Sequence, residues 1–180
     1  MSSDPIARDK CFTRKLLRPI KRIIGEHLIH EAPPKEDYLH NTDLIVLKLG
    51  GGRIACRVRR HKYLARYGDQ FTVRETRPSG LSSELTKIVE GWGDYVLYGF
   101  CNEAETDLSQ WLLGDLDVFR LWFTRELVRG KGIVPGIQQT NGDGSSTFRA
   151  FRVTDLPAAF FVARWPDPDD VPFDPPAQRH

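Results

Sequence analysis

Cysteine, methionine and long apolar runs are the scarcest features of this chain. Its three cysteines, Cys11, Cys56 and Cys101, are odd in number, lie far apart and form no CxxC pair. That pattern points away from a disulfide framework and from a zinc site, and it suits a reducing, cytoplasmic compartment. No apolar run approaches the roughly 18 residues of a membrane span, and the N-terminus has no signal-peptide core, so neither a membrane nor secretion is expected. Charge of one sign is also in short supply: 26 Lys and Arg against 24 Asp and Glu leave a formal charge of +2. The sum identifies no partner, and only the distribution along the chain is informative. A GxSxG elbow, a P-loop and a dinucleotide fingerprint are missing too. Gly91, Gly93 and Gly99 lack the spacing for the last of these and read as turns.

What is present is a globular mixture. The 180 residues are 40% hydrophobic and 11% aromatic, enough for one ordinary domain that buries its own core. Residues 1–9 read as a loose start and 166–180 as a Pro- and Asp-rich tail that does not pack, leaving a single mixed α/β domain over 10–165. Phe12, Leu16, Ile20, Ile23, Ile24 and Leu28 recur at helical spacing, with Arg14, Arg18, Lys21 and Arg22 turned largely away and Pro19 either bending the helix or starting its second half. This basic face reads as solvated. Leu44 to Leu49 is a nearly continuous apolar run, followed by three glycines and then by the alternating RIACRVR, Arg53 to Arg59. Strands are also expected over Gln70 to Glu75, Asp94 to Cys101 and Ser109 to Leu113. A helix capped by Ser82 should run from Ser83 to Glu90, and another capped by Asp117 should end at Gly130. NGDGSS marks a hairpin between Ile133 to Thr140 and Thr147 to Val153.

Positive charge concentrates between the second and third strands. Arg53, Arg57, Arg59, Arg60, Lys62, Arg66, Arg74 and Arg77 face only Asp69 and Glu75 there, with His61, Tyr63 and Tyr67 interleaved. Guanidinium groups suit phosphates, and aromatic rings suit bases or sugars, so the pattern points to a nucleic-acid surface. The alternative is a charged sheet edge that resists aggregation. His27 and His30, three apart on the first helix, lack a further ligand pair and read as structural. The tryptophans read as core or rim.

The segment TDLIVLKLGGGRIACRVRR, residues 42–60, resembles the central hairpin of the PD-(D/E)XK nuclease superfamily, as in archaeal Holliday-junction resolvases and restriction-enzyme cores. In that family an aspartate opens one strand, and after a short turn the next strand carries an acid, a spacer and a lysine. The resemblance covers roughly the first 100 residues. It implies a restriction-endonuclease-like αβββαβ core, a mixed central sheet flanked by helices, with the later hairpin as a C-terminal extension. It also implies Mg²⁺ and cleavage of phosphodiesters, DNA in first place.

Asp43 falls where the first acid sits, whereas Arg57 and Arg59 occupy the places of the second acid and the lysine. A guanidinium cannot ligate Mg²⁺, and hydrolysis needs carboxylates to hold the ion together with a cation that steadies the transition state. The superfamily tolerates migration of these groups onto the neighbouring helix, where Glu84 and Lys87 lie three apart. On that reading Asp43 and Glu84 hold the metal and Lys87 completes the catalytic set, with Asp69 and Glu75 as further candidate acids. Arg53, Arg57, Arg59, Arg60, Lys62, Arg66 and Arg74 would bind the nucleic acid. Two other functions fit the same residues: a non-catalytic relative that binds nucleic acid, and a small interaction or inhibitor module whose basic face meets an acidic protein.

Overall fold

The structure, a computed structural model, describes residues 12, 14–31, 44–46, 52–76, 82–142, 144 and 146–167. Its amphipathic opening segment forms helix α1, Leu17–Leu28. Pro19 sits in the first turn, where the N–H it lacks would have had no intrahelical partner. Phe12, Leu16, Ile20, Ile23 and Leu28 are buried, whereas Arg14, Arg18, Lys21 and Arg22 are exposed. The helix leads into β1, Ile29–Glu31, which pairs antiparallel with β2, Leu44–Val46.

Next come β3 (Ile54–Arg59), a short helix α2 (Leu64–Tyr67), β4 (Gln70–Arg74), helix α3 (Glu84–Val89), β5 (Tyr95–Cys101), β6 (Leu108–Asp115) and helix α4 (Leu116–Arg129). The chain then runs through β7 (Ile137–Thr140), β8 (Thr147–Arg152) and β9 (Phe161–Trp165). A four-stranded mixed sheet has the order β3-β5-β6-β9, with β3 parallel to β5 and the other pairs antiparallel. A three-stranded antiparallel sheet has the order β4-β8-β7. This is a mixed α/β architecture of the α+β kind. No helix among the described residues is long and apolar enough to cross a membrane.

The four-stranded sheet is covered on both faces, which is why its central strand reads YVLYGFC. Leu97 and Cys101 point to one side with Leu113, packing under Leu16, which precedes α1, and under Ile20 and Ile23 of α1. Val96, Tyr98 and Phe100 point to the other, into a cluster with Phe71 and Val73 of β4, Leu85 and Ile88 of α3, Phe119 and Phe123 of α4, and Phe151 of β8. The rings there meet edge to face: Phe71 with Tyr98 at 5.4 Å, Phe71 with Phe119 at 5.7 Å and Phe119 with Phe151 at 5.2 Å between centroids. Each such buried side chain stabilises the fold by about 1.5–3 kcal/mol. This aromatic layer joins the two larger sheets.

Several expectations are corrected by these pairings. The predicted single central sheet is divided, because its three successive strands enter three different sheets: β2 joins β1, β3 joins β5 and β4 joins β8. Among the described residues, β2 and β3 of the expected hairpin from Leu44 to Arg59 pair with other strands and not with each other. The hairpin β7–β8 does form, but it is built onto β4 and is no appendage. Ser83, not Ser82, caps α3, accepting the Thr86 amide at 3.1 Å. Asp115, not Asp117, caps α4, accepting the amides of Asp117 at 2.8 Å and Val118 at 3.2 Å. Gly99 is no turn: it lies inside β5, where a Cβ would meet the Gln110 carbonyl and the Trp111 side chain. Gly114, which interrupts the apolar run of β6, lets the buried Phe160 ring lie directly against the backbone. Of the predicted loose ends, 1–9 and 166–180, residues 1–9 and 168–180 lie outside the described residues.

Candidate functional site

Both larger sheets end in an edge strand at the same place. β3 is the edge of one and β4 the edge of the other. A groove of about 750 Å³ follows β3, its far wall formed by Arg74 at the end of β4 and by Glu84 and Lys87 of α3. The period-2 alternation of RIACRVR holds in space. Ile54 and Val58 pack on the α1 side, whereas Arg57 stands beside Tyr98 and Arg59 beside Phe100 in the register with β5, on the side of the aromatic layer.

The cations in this groove have unequal surroundings. Arg57 Nη1 donates to Glu84 Oε2 at 2.5 Å, and the same oxygen accepts the backbone N–H of Arg74 at 2.9 Å. Glu84 thereby ties β3 to β4 while adding negative charge to the first turn of α3. Arg59 stacks instead. Its guanidinium carbon lies 4.5 Å from the Tyr67 ring centroid, 5.0 Å from Tyr63 and 5.9 Å from Phe100, and Nη1 donates to the Tyr98 hydroxyl at 3.5 Å. Such stacking holds the plane rigid at about 0.5–1 kcal/mol per contact and leaves the charge uncancelled.

Arg53 pairs with Asp94, backbone N–H at 2.8 Å and Nε at 3.6 Å, and lies 5.5 Å over Trp92. Arg60 pairs with Glu105 and covers Phe12 at 4.7 Å. Both arginines are about half exposed, 54% and 47%, so these pairs contribute about 0–1 kcal/mol and yield readily to another anion. Lys62 sits 5.1 Å from the Tyr63 ring. Among the described residues, Arg59, Lys62, Arg74 and Lys87 have no carboxylate partner. Among the described residues the groove is thus lined by seven cations (Arg53, Arg57, Arg59, Arg60, Lys62, Arg74 and Lys87) and by one carboxylate, Glu84, already shared between two donors.

The predicted site residues divide accordingly. Arg53, Arg57, Arg59, Arg60, Lys62 and Arg74 come together in the groove, and Lys87 joins them as a seventh cation. Arg66 is left out, exposed on α2 with its guanidinium 5.2 Å from the Tyr67 ring. Asp43 and Arg77 lie outside the described residues. Asp69 is exposed in the turn before β4, its carbonyl accepting the Val153 amide at 2.8 Å. Glu75 belongs to a different structure: its Oε1 takes Nε of Arg149 at 3.0 Å and Nη2 at 2.5 Å, and its Oε2 takes Gln138 at 3.0 Å.

Among the described acids, Asp69, Glu75 and Glu84 do not converge. Among the described residues no three His, Cys, Asp or Glu side chains are placed to hold a metal ion, and the one oxygen of Glu84 nearest the cations is filled by donors. Asp43, the first acid of the set that the sequence resemblance implies for Mg²⁺, lies outside the described residues. His27 packs against Trp111 at 5.3 Å between centroids, a structural contact.

Trp92 is the groove residue that sequence reasoning missed. It is 61% exposed in the turn Gly91-Trp92-Gly93, whose glycines take φ of +95° and +84°. Two left-handed glycines flanking a tryptophan are a legible sign of a ring pushed out of the core. Cys101, at the end of β5, is fully buried, and burial pushes its thiol above the ordinary value. No protein-family model, curated protein or solved structure matches this chain.

Proposed function

We propose that this protein binds nucleic acid, holding the phosphate backbone in the groove between β3 and β4. The observation that carries the proposal is the cluster of Arg59, Lys62, Arg74 and Lys87 without acidic partners among the described residues, beside two exposed and easily exchanged arginine pairs. Cations confined to a concave surface raise the local potential and release counterions when a polyanion enters. Arg59 is held flat by tyrosines, so its outer N–H groups are ready for bidentate phosphate contact without loss of rotamer freedom. A volume of about 750 Å³ falls within the roughly 300–1,000 Å³ typical of ligand clefts. An exposed sheet edge needs only a few charges to resist aggregation, and β3 with its flanks carries more cations than that role requires.

The test is fluorescence anisotropy of a labelled oligonucleotide at low salt, for the wild type and for Arg57→Ala with Arg59→Ala. The wild type should bind, added salt should release the strand, and the double variant should bind at least tenfold more weakly, with the strand intact in Mg²⁺ throughout. No binding of either single-stranded or duplex DNA or RNA at low salt would refute the proposal.

A further inference from the structure

A second cavity of about 280 Å³ opens between the two sheets, lined by Gln70, Tyr98, Gln110, Arg164, Trp165 and Pro166 among others. It is one side chain from the basic groove, because Arg59, which lines the groove, touches Tyr98 and Phe100, which line this cavity. Its polar groups are incompletely used. The Oε1 of Gln70 is buried with no hydrogen-bond partner, whereas Gln110 Nε2 is already committed to the Gly68 carbonyl. A buried amide oxygen without a donor costs free energy that a ligand N–H would return. Arg164, 4.6 Å over Phe161, has no acidic partner among the described residues and supplies donors of its own.

An aromatic-walled cavity with one waiting acceptor and one guanidinium matches a flat heterocycle bearing an amino group beside ring acceptors. We infer that it accepts a single unstacked nucleobase, the base's exocyclic amine donating to Gln70 Oε1, from a strand whose phosphates lie in the groove. This inference rests on the groove reading and narrows its ligand to single strands. A base paired in a duplex cannot enter, because it stays stacked between its neighbours and joined to a complement that a cavity of about 280 Å³ does not admit. Aromatic and guanidinium contacts of this kind favour single-stranded ligands without requiring a long sequence code.

The experiment compares three ligands of equal length on the full chain: an oligocytidine strand, an abasic strand of the same sugar-phosphate backbone, and a duplex. The expected result is binding of oligocytidine roughly tenfold or more tighter than of the abasic strand, no such gain for the duplex, and a base-dependent change in Trp165 fluorescence that Trp165→Phe removes. Gln70→Leu should lose the gain for the base while keeping the wild-type affinity for the abasic strand. Equal, salt-sensitive binding of abasic and base-bearing strands by the wild type would overturn the base pocket and leave the groove standing. No binding of any of the three would overturn the groove as well. Should Gln70→Leu fail to fold, the wild-type comparison decides alone.

Discussion

Two arginine-rich regions of this molecule look alike in sequence and differ in every physical respect. On the three-stranded sheet, Arg149 is 9% exposed and bonded through all three of its nitrogens: Glu75 accepts from Nε and Nη2, and the carbonyls of Val134 and Gly136 accept from Nη1 at 3.2 and 3.3 Å. In the groove, Arg59, Lys62, Arg74 and Lys87 face solvent or rings without a carboxylate among the described residues. The difference teaches that the pairing of cations, and not their number, separates a structural guanidinium from one available to a ligand. A nearly buried pair holds its geometry because breaking it strands a charge, whereas an unpaired exposed cation costs the fold little and retains its attraction for anions.

Breaking the first region should cost the most. Glu75→Gln leaves Arg149 without its counter-charge, and denaturant unfolding should show a loss of about 3 kcal/mol, while the folded fraction keeps its affinity for nucleic acid. Gly114→Ala tests the aromatic layer that supports both regions. A Cβ there runs into the Phe160 ring, so a loss of about 2 kcal/mol is expected from the same measurement, and an unchanged midpoint would mean that the ring moves aside freely. Cys101 gives a smaller, pH-dependent effect. Its thiol is raised by burial, so above its ordinary value of 9.0 the unfolded chain releases a proton that the folded chain keeps. The stability present below pH 9 is therefore lost progressively as pH rises beyond it, and Cys101→Ala should flatten this alkaline decline in thermal melts.

The sequence was most readable where one face of an element is buried. The stripe from Phe12 to Leu28, the strand through Tyr98 and the turn between β7 and β8 follow from periodicity and turn chemistry, and all are observed. The alternation of Arg57 and Arg59 against Ile54 and Val58 was readable for the same reason. Strand partners were not, because period 2 states which side chains share a face and is silent on which edge they meet. Leu44 to Val46 pairs with Ile29 to Glu31, upstream of it, and β3 reaches past β4 to β5. β9 escaped notice because FVARW is short and follows Pro157, yet it completes the four-stranded sheet against β6. The capping aspartates 115 and 117 are chemically equal, and only the point at which β6 ends selects Asp115. Of the acids, Glu75 could be recognised as structural only once Arg149, 74 residues away, was placed beside it.

The most direct test of the difference between the two regions is the salt dependence of nucleic-acid binding in Lys62→Ala with Lys87→Ala. Neither lysine has a carboxylate partner among the described residues, so stability should stay within about 0.5 kcal/mol of the wild type. The slope of log affinity against log salt for a single strand should fall in magnitude by about 1.4, the release of counterions from two phosphates. An unchanged slope in a variant that is folded and still binds would show that the groove lysines touch no phosphate, and the polyanion would have to lie elsewhere on the molecule.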